Sequence, residues 1–397
     1  MRVLIGFLLS IVWSITPLFI SDASAEEQVN TATGIESVYS SVKKLIDDKS
    51  IAGATVMISH KGQIIHYDAQ GFRDIAEQAP LKKDDIFRIY SMTKPITSVA
   101  ALMLAEEGKL DLDAPVAHYL PELANLKVWK PGRNKAVRVP ITIRHLMTHT
   151  AGFTYGFFSA TPVDIQYNMD HPLFSTNNSE MVAKLAQYPL LFQPGKKWHY
   201  SVATDVLGHV IERVSGVSLG TFFKTRIFEP LNMVDTDFFI SQDDLHRFTS
   251  VYKMNLKPHE PYNTSDFQIP DRIESGGGGL VSTAQDYMNF CQMLLDGGVF
   301  HGERLLSEAM IKEMTRNQLP DGVLAYGYFG FGLGVQIQLS NWGDKAHEGE
   351  YGWSGAASTH FWISPTDELI VIALAQRQPF SKALKNAIKA DIYRSIQ

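Results

Sequence analysis

Four serines of this chain stand three residues ahead of a lysine: Ser40/Lys43, Ser41/Lys44, Ser91/Lys94 and Ser250/Lys253. A serine hydroxyl is a weak nucleophile until a neighbouring base takes its proton, so a lysine one helical turn away can make it the nucleophile of an acyl transfer. The spacing does not choose among the four, and at least three must be coincidence. Context separates them. Ser40 and Ser41 fall inside a stretch with helical periodicity, and Ser250 lies in loop-like sequence. Before Ser91 a β-like run, "DIFRIY", comes to its end. After it, "PITSVAALMLAEEG" has the composition of a helix, with Pro95 tolerable in the first turn and Gly108 as a stop. A serine at such a junction has its backbone N–H at the positive end of the helix, and Lys94 returns to the same face. The competing reading is a plain N-cap serine.

Chemistry at Ser91 needs a further group within reach of the proton, and "FQPGKKWHYSVATDVLGHVIERVSG" offers Tyr200 where an aromatic stretch meets a helix expected from about Ala203. Tyr287 is a decoy: Tyr287-Met288-Asn289 fits Y-x-N better, yet it sits in an apolar helix beside Phe290 and Cys291, where packing is the expected role. A third element is "HEGEYGWSGAASTHFWISP", in which the small residues Ser354 to Ala357 are expected to open a strand that a ligand can approach closely. There the N–H of Ala356 is a candidate partner for that of Ser91 in an oxyanion hole; the alternative is an edge strand with small residues. Gly216-Val217-Ser218-Leu219-Gly220 is a formal G-x-S-x-G, but a helix precedes it where a nucleophile elbow needs a strand. His145 and His149 have the spacing of two metal ligands on a helix, yet Leu146 stands where a zincin carries its glutamate, so packing and hydrogen bonding are expected and no metal. The four glycines 276–279 fit a flexible turn and match a phosphate loop poorly.

The elements that must position these groups lie at both ends of the chain. Residues 34–48 place Ile35, Val38, Val42 and Ile46 on one side of an amphipathic helix. Two β-rich runs follow around Lys61-Gly62, and two more surround residues 364–367 before a final helix from about Ser381. Between Lys94 and about Ser275 the pattern is helices and long loops. The expected fold is of α/β (α+β) type: a mixed, mainly antiparallel sheet from both chain ends, flanked by helices, with a largely helical insertion. The corresponding division is residues 26–93 with 275–397 for the α/β part and 94–274 for the helical part.

The formal net charge is −6 and no basic tract occurs, which argues against nucleic acid and a membrane surface as partners. Cys291 is the sole cysteine, so an intrachain disulfide is impossible. Arg2, an apolar run from Val3 to Ile20 and the site Ala23-Ser24-Ala25 form a secretory signal over residues 1–25, predicting a periplasmic or secreted protein without stable membrane insertion after cleavage. The run is also long enough for an N-terminal anchor, and the A-x-A site favours cleavage.

Ser91-x-x-Lys94, "HLMTHTAGF" at 145–153, "PGKKWHYS" at 194–201 and "GWSGAASTHFWISP" at 352–365 resemble, in order and spacing, the serine β-lactamase-like superfamily, most of all the class C-type or family VIII carboxylesterases. The resemblance runs from about Gly34 to the C-terminus. It implies Ser91 as nucleophile, Lys94 and Tyr200 as the base system and Trp353-Ser354-Gly355 as the counterpart of the K-T-G strand, with no cofactor. Two positions depart from the β-lactamase pattern. Both fall among the substrate-binding positions the resemblance implies, Val202, Trp353, Ser354 and Gly355: Val202 stands where an asparagine is expected, and Trp353 where a lysine would pair with a substrate carboxylate. An aromatic wall favours uncharged groups, so the expectation is hydrolysis of small esters with short-to-medium acyl chains through an acyl-enzyme. The alternatives are a β-lactamase or D-Ala-type peptidase, an acyltransferase, and an inactive relative that only binds. The resemblance leaves open which of Tyr200 and Lys94 is the base, as side by side they can share one proton.

Overall fold

The computed structural model of the chain describes residues 22–158, 160–258, 267–269 and 272–396. Residues 1–21 of the expected leader lie outside them. Strands β1 (Gly53–His60), β2 (Gln63–Asp74) and β3 (Ala79–Pro80) come from the N-terminal part. A small pair, β4 (Phe87–Arg88) and β5 (Val281–Ser282), stands apart, and β6 (Gly330–Phe331), β7 (Gln336–Ile337), β8 (Tyr351–Gly355), β9 (Thr359–Ser364) and β10 (Leu369–Ala375) come from the C-terminal part. The eight-stranded sheet has the order β6-β7-β8-β9-β10-β1-β2-β3, so the two chain ends meet where β1 pairs antiparallel with β10, from Ala54↔Ala375 to His60↔Leu369.

The sequences GATVMISH and LIVIALA are apolar at nearly every position because both faces of the central strands are covered. Side chains alternate between the faces. Met57, Phe361, Ile370 and Ile372 face the larger core, whereas Val56, Ile58, Trp362, Val371 and Ala373 face the smaller one. The smaller core is closed by α1 (Asp22–Asp47), which contributes Val38 and Val42, and by the C-terminal helix Ala383–Ser395, which packs along α1. At the β1–β2 turn, Lys61 and Gly62 both have positive φ, +50° and +74°, as a two-residue hairpin turn of this hand requires.

Residues between β4 and β5 supply α2 (Thr93–Glu106), α3 (Ile143–Met147), α4 (Pro162–Met169), α5 (Asn178–Leu185), α6 (Ala203–Ser215) and α7 (Leu219–Phe223), followed after β5 by α8 (Ala284–Leu295). α2 is buried from Thr93 to Leu104, packed against α6, while α8 packs on β1 and β10. The run "DIFRIY" yields the two residues of β4 and, ahead of them, a single parallel bridge from Ile86 to Phe248. Tyr90 turns the chain at φ +42°, and residues Tyr90–Met92 make a single 3₁₀ turn into α2.

Candidate active site

Ser91 sits in that 3₁₀ turn, and Lys94 follows in the first turn of α2 with its side chain wholly buried. The Tyr200 hydroxyl donates to Ser91 Oγ at 2.6 Å, and Lys94 Nζ lies 3.3 Å from the same oxygen. Tyr200 is delivered by the loop before α6. That loop is tied to residues 149–150 by the amides of Gly195 and His199, which donate to the carbonyls of Thr150 and His149. Trp353, on β8, directs Nε1 to the Tyr200 hydroxyl at 3.4 Å, with ring centroids 5.4 Å apart. Ser91, Lys94, Tyr200 and Trp353 are thus brought together from three separate segments.

Lys94 has two further partners. Its Nζ donates to the Tyr155 hydroxyl at 2.9 Å and to the Gly277 carbonyl at 2.5 Å. Behind them Asp205, buried in the first turn of α6, accepts from the Gly277 amide at 3.0 Å and from the Ser275 hydroxyl, and the Tyr155 hydroxyl approaches it at 3.5 Å. A Cβ on Gly277 would lie 2.3 Å from the Asp205 carboxylate, so only glycine lets the chain pass here.

The sequence reading missed Tyr155, Asp205 and the Gly277 carbonyl. Tyr155 lies two residues beyond the quoted "HLMTHTAGF" block. Asp205 carried a usable signal, an acid amid Val202, Ala203, Val206 and Leu207, since an aspartate among apolar neighbours is seldom buried without partners. The glycine run looked like a flexible turn because its spacing showed nothing of the carboxylate it must clear.

Other expected positions differ. The expected strand is present as β9 but begins only at Thr359; β8, which was not foreseen, ends at Gly355, so Ser354–Ala357 runs from the end of β8 into the turn between the two strands, with Ala356 exposed there. Gly355 lies against the Ile89 carbonyl, which a Cβ would meet at 2.2 Å, and this sets the end of β8 beside the Ser91 turn. Ser354 was expected to meet substrate. Neighbouring strand residues face opposite sides, so with Trp353 on Tyr200 the Ser354 hydroxyl points away and pairs with His360 Nδ1 at 2.8 Å. Val202 is likewise withdrawn, fully buried in the larger core.

The decoys have structural uses. Tyr287 donates to the Met92 carbonyl at 2.8 Å and braces the Ser91 turn from behind. Ser218 is the N-cap of α7 and accepts from the Thr221 amide. His145 Nδ1 accepts from the Thr142 amide in a capping box. α3 ends at Met147 and His149 has φ +53°, so the two imidazoles do not share a helical face. His149 instead lays its ring against that of Tyr200, centroids 4.7 Å apart.

Burial governs the electrostatics. Loss of solvent pulls Lys94 down to about 7, opposed by the Asp205 carboxylate. Burial pushes Tyr200 above its ordinary value, against its hydrogen bonds with Ser91 and Trp353, which pull it down. It also raises Tyr155 and Asp205 and lowers His149. Near neutral pH the site therefore combines an amine that can be free base with two tyrosines held as phenols.

The sequence matches the Beta-lactamase family over residues 39–394. The chain belongs to this family. As a beta-lactamase family member it is 32% identical to protein Rv1367c of Mycobacterium tuberculosis, over 85% of this chain and 89% of that one. It is 28% identical to esterase EstB of Burkholderia gladioli, over 86% and 92%. Among solved structures, EstCE1, a hydrolase with promiscuous acyltransferase activity, is similar with TM-score 0.79 and 25% identity, covering 93% of this chain and 100% of that one.

Proposed function

We propose that this protein is a serine carboxylesterase acting through an acyl-enzyme, with Ser91 as nucleophile. The observation that carries the reading is the Ser91 oxygen held between the Tyr200 hydroxyl at 2.6 Å and Lys94 Nζ at 3.3 Å. The free amine of Lys94 takes the Ser91 proton as Oγ adds to the ester carbonyl. Its low proton affinity, caused by burial, suits it to this near neutrality, whereas Tyr200, held as a phenol, suits proton donation. The oxyanion is assigned to the backbone N–H groups of Ser91 and Ala356, the latter following the strand end that Gly355 seats beside the nucleophile turn. Breakdown transfers the phenolic proton of Tyr200 to the leaving alcohol oxygen, and the Lys94 ammonium restores the phenol through the Tyr155 hydroxyl, which lies 2.9 Å from Nζ and is hydrogen-bonded to Tyr200. Water then repeats the sequence on the acyl-enzyme and releases the acid. An alcohol in place of water gives acyl transfer, a second reading favoured by the aromatic lining around Tyr200 and by the similarity to EstCE1.

The leader over residues 1–25 supports export to the periplasm or beyond. The test is p-nitrophenyl esters, a chromogenic cephalosporin and a D-Ala-D-Ala peptide assayed side by side, with fluorophosphonate labelling. Ester turnover and labelling should dominate and vanish in Ser91→Ala, while Ser218→Ala retains both and loses about 1 kcal/mol of stability with its cap. Turnover of the cephalosporin ahead of the esters, or labelling that persists in Ser91→Ala, defeats the assignment.

A further inference from the structure

Three rings beside the reactive hydroxyls remain open: Phe157 is 64% exposed, Phe158 50% and Tyr326 48%. Exposed apolar area of this kind next to reactive groups marks a ligand surface. The rings form two walls that meet at Tyr200. On one wall Phe158 lies 5.8 Å from the Tyr200 ring, with Phe157 4.5 Å behind it. On the other, Trp353 lies 5.4 Å from Tyr200 and carries Tyr326 stacked at 6.3 Å and 22°, with Trp198 bracing Tyr326 at 4.6 Å.

We propose that this aromatic slot holds the alcohol side of the ester and selects flat, uncharged alcohols. The inference rests on Tyr200 as proton donor to the leaving oxygen. To receive that proton the oxygen must come within hydrogen-bond reach of the Tyr200 hydroxyl, so whatever it carries lies among the rings that touch Tyr200. Parallel faces at Trp353 and Tyr326 suit a planar group, which gains by stacking as well as by burial. A carboxylate finds an indole where it needs a cation, and a cationic alcohol leaves past the Lys94 ammonium formed once the Ser91 proton has moved, 4.6 Å from the Tyr200 ring centroid. Because acyl transfer runs the same step backwards, the slot also receives the acceptor, and flat alcohols intercept the acyl-enzyme better than ethanol does.

The test uses acetate esters of alcohols with similar acidity: ethyl, cyclohexylmethyl and 2-naphthylmethyl. A second pair, 3,3-dimethylbutyl acetate and acetylcholine, has equal shape and differs in charge. A third, ethyl acetate and ethyl 2-naphthylacetate, moves the ring to the acyl side. Wild type should prefer 2-naphthylmethyl acetate over both other alcohols, and 3,3-dimethylbutyl acetate over acetylcholine. Phe158→Ala and Tyr326→Ala should each cut the 2-naphthylmethyl to ethyl ratio of kcat/KM by about two- to ten-fold. The acyl-side ratio should stay where it was. Phe158→Leu and Tyr326→Leu, which keep bulk without an aromatic face, should give the same direction. An unmoved alcohol ratio, an acyl ratio that moves instead, or preference for acetylcholine overturns the slot while fluorophosphonate labelling of Ser91 keeps the esterase reading. Absence of labelling and ester turnover in wild type removes that reading and the slot with it.

Discussion

Lys94 is the residue on which the pH behaviour turns. With Lys94 drawn down to about 7 by burial, kcat/KM for a neutral ester should climb as pH rises through about 7 and then level. A base supplied by Tyr200 would instead place that limb in the alkaline range, because burial raises the phenol. A limb centred well above pH 8 therefore identifies Tyr200 as the base. Stability carries the same signature with its own sign. The folded state holds Lys94 at about 7 and the unfolded chain at about 10.4, so between these values the unfolded chain binds more protons and stability rises with pH. Thermal melts from pH 7 to 10 should show that rise relative to Lys94→Met, where this contribution is gone. Trp353 carries the choice of substrate charge. Trp353→Lys should raise the ratio of cephalosporin to p-nitrophenyl butyrate turnover by roughly ten- to 150-fold, the equivalent of one charge-assisted hydrogen bond of about 1.5–3 kcal/mol. An unmoved ratio in a folded variant shows that residue 353 does not meet the substrate carboxylate.

At the scale of elements, two glycines set how closely the segments around Ser91 approach. Gly277→Ala drives its Cβ into the Asp205 carboxylate and displaces the carbonyl that receives Lys94. We expect kcat/KM to fall by about 10² or more, as for loss of a positioned base, together with about 1–3 kcal/mol of stability from overpacking. Gly355→Ala meets the Ile89 carbonyl and the Thr359 hydroxyl and pushes β8 from the Ser91 turn. It should slow fluorophosphonate labelling as well as turnover, since both reactions develop charge on an oxygen at the same place. Labelling at the wild-type rate in that variant would remove the end of β8 from the oxyanion site.

On the scale of the whole molecule the sheet separates chemistry from fastening. The site lies against the larger core, while across the sheet a buried cluster ties the C-terminal helix Ala383–Ser395 to the start of β8: Lys389 pairs with the Glu350 carboxylate, and Tyr393 donates to its other oxygen at 2.5 Å. Removing one member leaves the other charge buried without its counter-ion. Glu350→Ala should cost about 3–5 kcal/mol in denaturant melts, with kcat/KM per folded molecule unchanged. Loss of activity without loss of stability would contradict this division between the two faces.

Much was decided by local pattern alone. Apolar runs at both chain ends imply strands covered on two faces, Lys61-Gly62 implies the hairpin, and Ser91, Lys94 and Tyr200 stand out because a polar group at a helix junction is visible in a short window. A residue's side of a strand or helix depends on register against its neighbours, and a window does not contain them. That is why Ser354 was expected at the substrate and is found on His360, why Val202 was placed in the cleft and lies in the core, and why β8 was not foreseen ahead of β9. The contacts that tune Lys94 were illegible for the same reason. Tyr155, Asp205 and the Gly277 carbonyl lie 61, 111 and 183 positions away along the chain. Only the tertiary fold brings them to one amine, and only their joint burial lowers its proton affinity.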